Sequence, residues 1–375
     1  MARALGTGNA HRIAVFRALV LGDLLCATPS LRVLRTAWPQ AQITLIGLPW
    51  AQELVQRLPS VDRLLPFPGY PGLPEGPVDI SAWPRFLAGV QAERFDLALQ
   101  MHGSGGITNP LVCTFGAAHT GGFYRPGEFC PDPALFTPWP DHAQEVHRCL
   151  ALTDALGLPR QGEQLDFPLQ PEDDQRLRQL WPGCSAPYVV LHAGAQLPSR
   201  RWPIERFARV AEALAGTGLQ VVLTGTASEA PLAQALRQGC RQPLVDLLGR
   251  TDLWTLGALV RGARLLVAND TGVSHVAAAL GTPSVIVSMG SDVRRWAPLD
   301  TDRHRVLWQD LPCRPCGHRT CPTAHECATA IASDDVIAAA LDLLQLHHTP
   351  LQPWQTPANP CASSPGMCTA TTSTT

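Results

Sequence analysis

Short, wholly apolar runs alternate along this chain with stretches in which apolar residues recur every three to four positions. An apolar run of four or five residues suits a strand buried on both faces, and an amphipathic helix between two such runs lays the second strand parallel to the first. The alternation predicts an α/β fold of parallel, doubly wound sheets covered by helices. Ile13–Arg17, Ile43–Ile46, Val61–Leu65 and Leu97–Leu99 read as strands of a first sheet, with helical stretches around Leu31–Arg35 and Phe86–Arg94. A second series is clearer, with strands Tyr188–Leu191, Gln220–Leu223, Arg264–Ala268 and Ser284–Ser288. Its helices are Ile204–Ala215, Glu229–Gln238, Leu253–Arg261 and Val273–Leu280, and Asp334–Leu344 closes the series with Ser333 as its cap. Pro159–Pro187, rich in Gln, Asp, Glu and Pro, reads as the link between the two series.

A length of 375 residues suits two domains. The boundaries predicted are residues 11–165 and 185–345, followed by a Pro/Thr/Ser-rich segment, 348–375, that reads as disordered. Two Rossmann-like halves facing one another leave a cleft at the carboxyl ends of both sheets, where ligands of such folds bind.

Charge narrows the chemistry. The formal net charge is −2, which gives no electrostatic reason for nucleic acid as a partner. All 29 basic residues are Arg. Schiff-base, pyridoxal-phosphate and P-loop lysines are therefore excluded, and any cationic side chain on a phosphate must be Arg. Arg17 and Asp23 interrupt the apolar stretch Ile13–Ala27, unlike the uncharged core of an export signal. No apolar run reaches the ~18 residues of a spanning helix. Most of the 12 Cys are scattered, which fits a reducing compartment better than a stapled secreted fold. The expectation is a soluble cytoplasmic protein.

Three segments carry chemistry. In Leu265-Leu-Val-Ala268 a buried strand runs into Asn269-Asp270-Thr271-Gly272, and a helix follows at once. That geometry aims unpaired N–H groups and a positive helix end out of the sheet edge toward an anion. Thr271 adds a hydroxyl, Gly272 permits close approach, and His275 lies one turn inside; the alternative is that Asp270 or Thr271 merely caps the helix. The second segment, His192-Ala-Gly194-Ala195…Arg200-Arg201-Trp-Pro203, places small residues and two Arg between a strand and a helix. It reads as a diphosphate clamp or as an ordinary loop with solvated Arg. In the third, Gly22-Asp23 falls just past the first strand. Its carboxylate could take a proton from a bound hydroxyl, although the Gly–Asp pair by itself favours a helix cap. No G-x-G-x-x-G follows that strand, which argues against a dinucleotide oxidoreductase.

Arg17…Gly22-Asp23…Thr28-Pro29 and Leu31…Leu34-Arg35 resemble the opening motif of glycosyltransferase family 9, the lipopolysaccharide heptosyltransferases. His192-Ala-Gly-Ala…Arg201-Trp-Pro203 and Asn269-Asp-Thr-Gly-Val-Ser-His275…Gly281-Thr-Pro283 resemble its donor-site motifs, in the family's order. The resemblance spans about residues 11–345 and implies a GT-B fold, with an N-terminal acceptor domain and a C-terminal nucleotide-sugar domain. It implies Asp23 as general base, and Asp270, Thr271, Gly272, His275 and Arg200 around the donor diphosphate. The reaction implied is inverting transfer of heptose from ADP-heptose to a lipid-linked core saccharide, by an enzyme at the inner face of the inner membrane that needs no cofactor. Transfer from another nucleotide sugar to a different glycan, or sugar-nucleotide binding without turnover, are the rival readings. Leu19 and Val20 stand where the family often has small residues, and would narrow the acceptor side. Arg200 replaces a frequent Lys, and Gly194 and Ala195 replace hydroxyl residues, so contacts there would come from backbone N–H groups.

One cluster lies outside these motifs. Cys313, Cys316, Cys321 and Cys327, spaced C-x2-C-x4-C-x5-C, could hold a structural Zn²⁺. Reduced thiols or a redox-dependent disulfide are the alternatives. Arg57, Arg63, Arg85, Arg94 and Arg125 are candidates for a phosphorylated acceptor, each also readable as a solvated surface charge.

Overall fold

The computed structural model describes residues 10–347, so the segment read as a disordered tail lies outside the described residues. The first half contains β1 (Arg12–Phe16), α1 (Leu21–Ala37), β2 (Gln42–Gly47), α2 (Ala51–Val55) and β3 (Arg63–Pro66). It continues through α3 (Trp83–Ala92), β4 (Leu97–Gln100), α4 (Thr108–Cys113), β5 (His119–Tyr124), β6 (Phe136–Pro138) and α5 (Glu145–Ala155). The second half begins with α6 (Pro171–Leu180), β7 (Tyr188–His192), α7 (Ile204–Ala215), β8 (Gln220–Leu223), α8 (Ala230–Gly239) and β9 (Leu244–Asp246). It then runs through α9 (Leu253–Gly262), β10 (Leu266–Asn269), α10 (Gly272–Leu280), β11 (Ser284–Val287), α11 (Val293–Trp296) and β12 (His304–Leu307). Two helices close the described chain, α12 (Glu326–Thr329) and α13 (Ser333–Leu346).

Each half forms one six-stranded sheet, ordered β3-β2-β1-β4-β5-β6 and β12-β11-β10-β7-β8-β9. Every pairing within both is parallel. Renumbered within its own half, the second sheet repeats the order of the first, so the chain holds two Rossmann-like units. The order reverses between β1 and β4 in one and between β7 and β10 in the other. Loops leaving neighbouring strands in opposite directions open a crevice there, and such crevices take ligands.

The strands are apolar because both faces are covered: Ile13, Val15, Ile43 and Leu45 are buried in one sheet, and Val190, Leu266, Val267 and Val285 in the other. The halves do not have separate cores. Leu24 and Leu25 of α1 belong to the same buried cluster as Val273 and Val276 of α10 and Leu266 of β10.

Several elements depart from the reading of the sequence. The first helix starts at Leu21, earlier than the stretch read around Leu31–Arg35, so Pro29 lies inside α1. Its ring cannot donate to the Leu25 carbonyl, and the Thr28 hydroxyl does so instead at 2.7 Å. The polar link contains α6, begun by a capping box between Gln170 and Asp173 and packed on α9. Ser333 is the first residue of α13 rather than its cap, which is Ala332. β5 and β6 escaped notice because Gly121-Gly122 and a three-residue strand carry almost no apolar pattern.

Leu266 sits fully buried in the middle of the second sheet, within a core that crosses the domain boundary. Leu266→Ala is expected to lower stability by about 2–5 kcal/mol, and both halves should unfold in one transition by urea titration.

Candidate active site

The crevice of the second sheet is held together by one side chain. Asn269, fully buried at the end of β10, accepts from the Trp202 N–H at 3.0 Å. Its amide donates to the carbonyls of Ala193 at 2.7 Å and Gly194 at 3.3 Å. The loop after β7 and the turn after β10 are thereby tied together. Thr271 is the residue before α10, but its hydroxyl turns back to the Asn269 carbonyl at 3.4 Å and caps nothing. The first N–H groups of the helix therefore lack a side-chain cap, and Thr271 and Gly272 face a cavity. The Asp270 carboxylate accepts from Ser288 at 3.2 Å and from Ser291. Gly281 ends the helix in the left-handed conformation, φ +69°, which favours glycine.

Opposite lies the start of α1. Its N-cap is Val20, so Asp23 sits inside the first turn and is not the cap that the Gly–Asp pair alone suggests. Arg17, buried at the end of β1, donates from Nε and one terminal nitrogen to the Asp23 carbonyl at 2.9 and 2.7 Å. Burial raises the Asp23 carboxyl to about 6, a shift that nearby Arg17 and Arg295 oppose and Glu145 reinforces. A carboxylate of that strength is charged at neutral pH yet basic enough to accept a proton.

Both edges open into one cavity of about 440 Å³, lined from the first domain by Val20, Leu21, Gly22 and Asp23. Ala195, Arg200, Asp270, Thr271, Gly272 and His275 line it from the second. Seven of the nine residues read from sequence as catalytic or donor-binding thus meet at one place.

The other two do not line the cavity. Gly194 packs on Glu229, where an added Cβ would lie 1.9 Å from a carboxylate oxygen. Arg201 turns its Nε to the Ala195 carbonyl at 2.9 Å and shapes the loop. Of the residues expected to narrow the acceptor side, Val20 lines the cavity while Leu19 is buried in the protein. His275 is buried too, with Nδ1 3.6 Å from the Cys26 sulfur. Burial lowers its pKa, against Asp270 and Glu145, so the ring lines the cavity as a neutral hydrogen-bonding group.

The four clustered cysteines do not form the zinc site suggested by their spacing. Among the described residues no group of three or more His, Cys, Asp or Glu side chains is placed to hold a metal. Cys327 is drawn into the core of the second domain beside Ile331 and Val336, while Cys313 is exposed. The loop instead supports the segment after β7: the Cys316 carbonyl accepts from Arg200 at 2.6 Å, and the His318 carbonyl from the Ser199 hydroxyl at 2.6 Å. Of the surface arginines considered for an acceptor, Arg57 is paired with Asp173, Arg63 with Glu93 and Arg125 with Asp141.

The family model for glycosyltransferase family 9 (heptosyltransferase) matches residues 85–326. The chain belongs to this family. It is 28% identical over 296 residues to lipopolysaccharide heptosyltransferase 2 of Escherichia coli, covering 73% of this chain and 81% of that one. It is also 28% identical over 328 residues to lipopolysaccharide heptosyltransferase 1 of Pseudomonas aeruginosa, covering 83% and 87%. The solved structure of a family 9 glycosyltransferase from Veillonella parvula has a TM-score of 0.75 at 23% identity, over 90% of this chain and 98% of that one. The E. coli ADP-heptose lipopolysaccharide heptosyltransferase II structure gives 0.69 at 23% identity, over 90% and 100%. The fold is GT-B, and the family 9 enzymes are glycosyltransferases.

Three residues at this family 9 site were not singled out in the sequence reading. Trp296 and Ser291 reach the cavity from α11 and the loop before it, a segment with no motif. Glu145 was passed over entirely, because His147 and Arg148 follow it in α5 and nothing local marks the helix start as buried. Because Asn269 ties the donor loops, Asn269→Ala leaves the Trp202 N–H and two carbonyls without partners. A loss on the order of 2–4 kcal/mol in urea unfolding is expected.

Among the described residues no helix is long and apolar enough to cross a membrane.

Proposed function

We propose that this enzyme transfers heptose from ADP-heptose to the inner core of lipopolysaccharide with inversion at the anomeric carbon. The observation that carries the reading is the single cavity in which Asp23 faces the start of α10. The similar lipopolysaccharide heptosyltransferases support the sugar and the acceptor, and the similar E. coli ADP-heptose lipopolysaccharide heptosyltransferase II supports the donor. A lipid-linked acceptor requires work at a membrane surface, and we assign the enzyme to the inner face of the inner membrane.

In this mechanism Asp23 takes the proton of an acceptor hydroxyl as its oxygen forms a bond to the anomeric carbon. The bond from that carbon to the diphosphate breaks on the opposite side, and its electron pair leaves with ADP. The uncapped N–H groups at Thr271–Gly272, the Thr271 hydroxyl and Arg200 receive the departing charge. Asp270, fixed by two serines, orders the same turn. Helix α10 and arginine supply the positive charge that the diphosphate needs, so transfer is expected to survive brief EDTA treatment, and a loss restored by Mg²⁺ would contradict this.

Asp23→Asn keeps the shape of the side chain but cannot take a proton. It should lower turnover about 10²–10⁴-fold while leaving ADP affinity within twofold, measured by product mass and by calorimetry. Retention of a tenth of the activity, with chemistry rate-limiting, would remove Asp23 from the mechanism. In the wild type the carboxyl is protonated below about pH 6, so kcat should fall as pH drops through that value and level off above it.

A further inference from the structure

Four charged side chains meet where the two domains touch. Glu145, at the start of α5, is 2% exposed and accepts from Arg17 at 2.9 Å, Arg148 at 2.8 Å and Arg295 at 2.7 Å. Arg17 and Arg148 belong to the acceptor domain, Arg295 to α11 of the donor domain. Arg295 also lies over the Trp296 ring, 4.3 Å from its centre, and that ring is a wall of the cavity. Glu145 is therefore a buried carboxylate shared by guanidiniums of both domains.

The charges in this cluster do not balance. Three cations surround one anion in a buried place, where uncompensated charge is costly. The carboxylate of Asp23 is the next anion available to them. The other titratable groups facing it are neutral near pH 7, because burial pushes the Cys26 thiol up, the Cys149 thiol up to about 12 and the His275 imidazole down. Asp270, across the cavity, is already engaged by Ser288 and Ser291. Glu145 itself is held down to about 2; burial works against its charge, but Arg17 and Arg295 prevail.

Resting on the reading of Asp23 as the base, we propose that Glu145 is a positioning residue that couples the second domain to the base. It holds Arg17 against the backbone of Asp23 and receives Arg295 from the opposite domain. Held there, Arg295 joins Arg17 in favouring the carboxylate of Asp23 over its acid.

Glu145→Gln would leave Arg17 and Arg148 uncompensated in the core and would test folding. Arg295 is partly exposed, 31% at the side chain, and does not line the donor cavity, so it is the position to change. With Arg295→Gln, the acid limb of the kcat–pH profile should move up by about half a pH unit. ADP affinity should stay within twofold of wild type, and Arg295→Lys should return the limb toward its original place. An unmoved limb in Arg295→Gln would overturn the coupling, whatever happens to the rate. Asp23→Asn in the same series separates the two ideas. If the limb persists in that variant, the base assignment has failed; if it vanishes there while Arg295→Gln leaves the wild-type limb unmoved, only the coupling has.

Discussion

The site depends on how closely the beginnings of two helices, α1 and α10, pack across the domain boundary. An added Cβ on Gly22 would lie 2.5 Å from a carbon of the His275 ring, and one on Gly272 would lie 3.3 Å from the side chain of Leu21. The absence of a side chain at Gly22 lets the ring fill that space. The positive end of each helix and the residues of its first turn then share one cavity, with Asp23 on one wall and Thr271 and Gly272 on the other. The same contact continues into a common apolar core through Leu24, Leu25, Val273 and Val276. Spacing between Asp23 and the start of α10 is thus set by close packing, which is far stiffer than a loop.

A chain without lysine assigns every cationic task to Arg, and these arginines divide the work in ways their type does not reveal. Arg17 is buried and clamps a carbonyl, Arg200 reaches the cavity wall, Arg201 props a loop, and Arg295 bridges the domains. Arg17 uses all three nitrogens of its planar fork, on the carbonyls of Asp23 and Met101 and on Glu145, which a single ammonium could not do. Arg57 shows the same economy outside the site, pairing twice with Asp173 while lying 4.1 Å from the centre of the Trp254 ring.

The cysteine-rich loop is better understood by its backbone than by its sulfurs. Its carbonyls accept from Ser199 and Arg200, and Arg314 donates to the carbonyls of Ser288 at 2.9 Å and Ser291 at 2.7 Å. Those serines in turn hold Asp270. A segment of unusual composition thereby acts as the outer brace of the cavity wall, which explains why its side chains need not converge.

The sequence alone determined the class of fold, because fully apolar strands alternating with amphipathic helices have almost no solution other than parallel sheets covered on both faces. It also marked Asp23, Arg200 and the Asp270–His275 turn, since a polar turn at the carboxyl end of a buried strand can only open at the sheet edge. Weakly patterned pieces stayed hidden: Gly121-Gly122 in β5, α6 in a polar stretch, and α1 running through Pro29 with Thr28 repairing the bond. Tertiary structure alone decided that Asp23 is not a cap, that Gly194 and Arg201 support the loop without lining the cavity, and that four evenly tempting cysteines do not gather. It alone brought Glu145 to Arg17 and Arg295, residues 128 and 150 positions away along the chain. Local pattern records which face of an element is buried; which charges meet there is fixed by how two folded halves dock, and no local pattern carries that information.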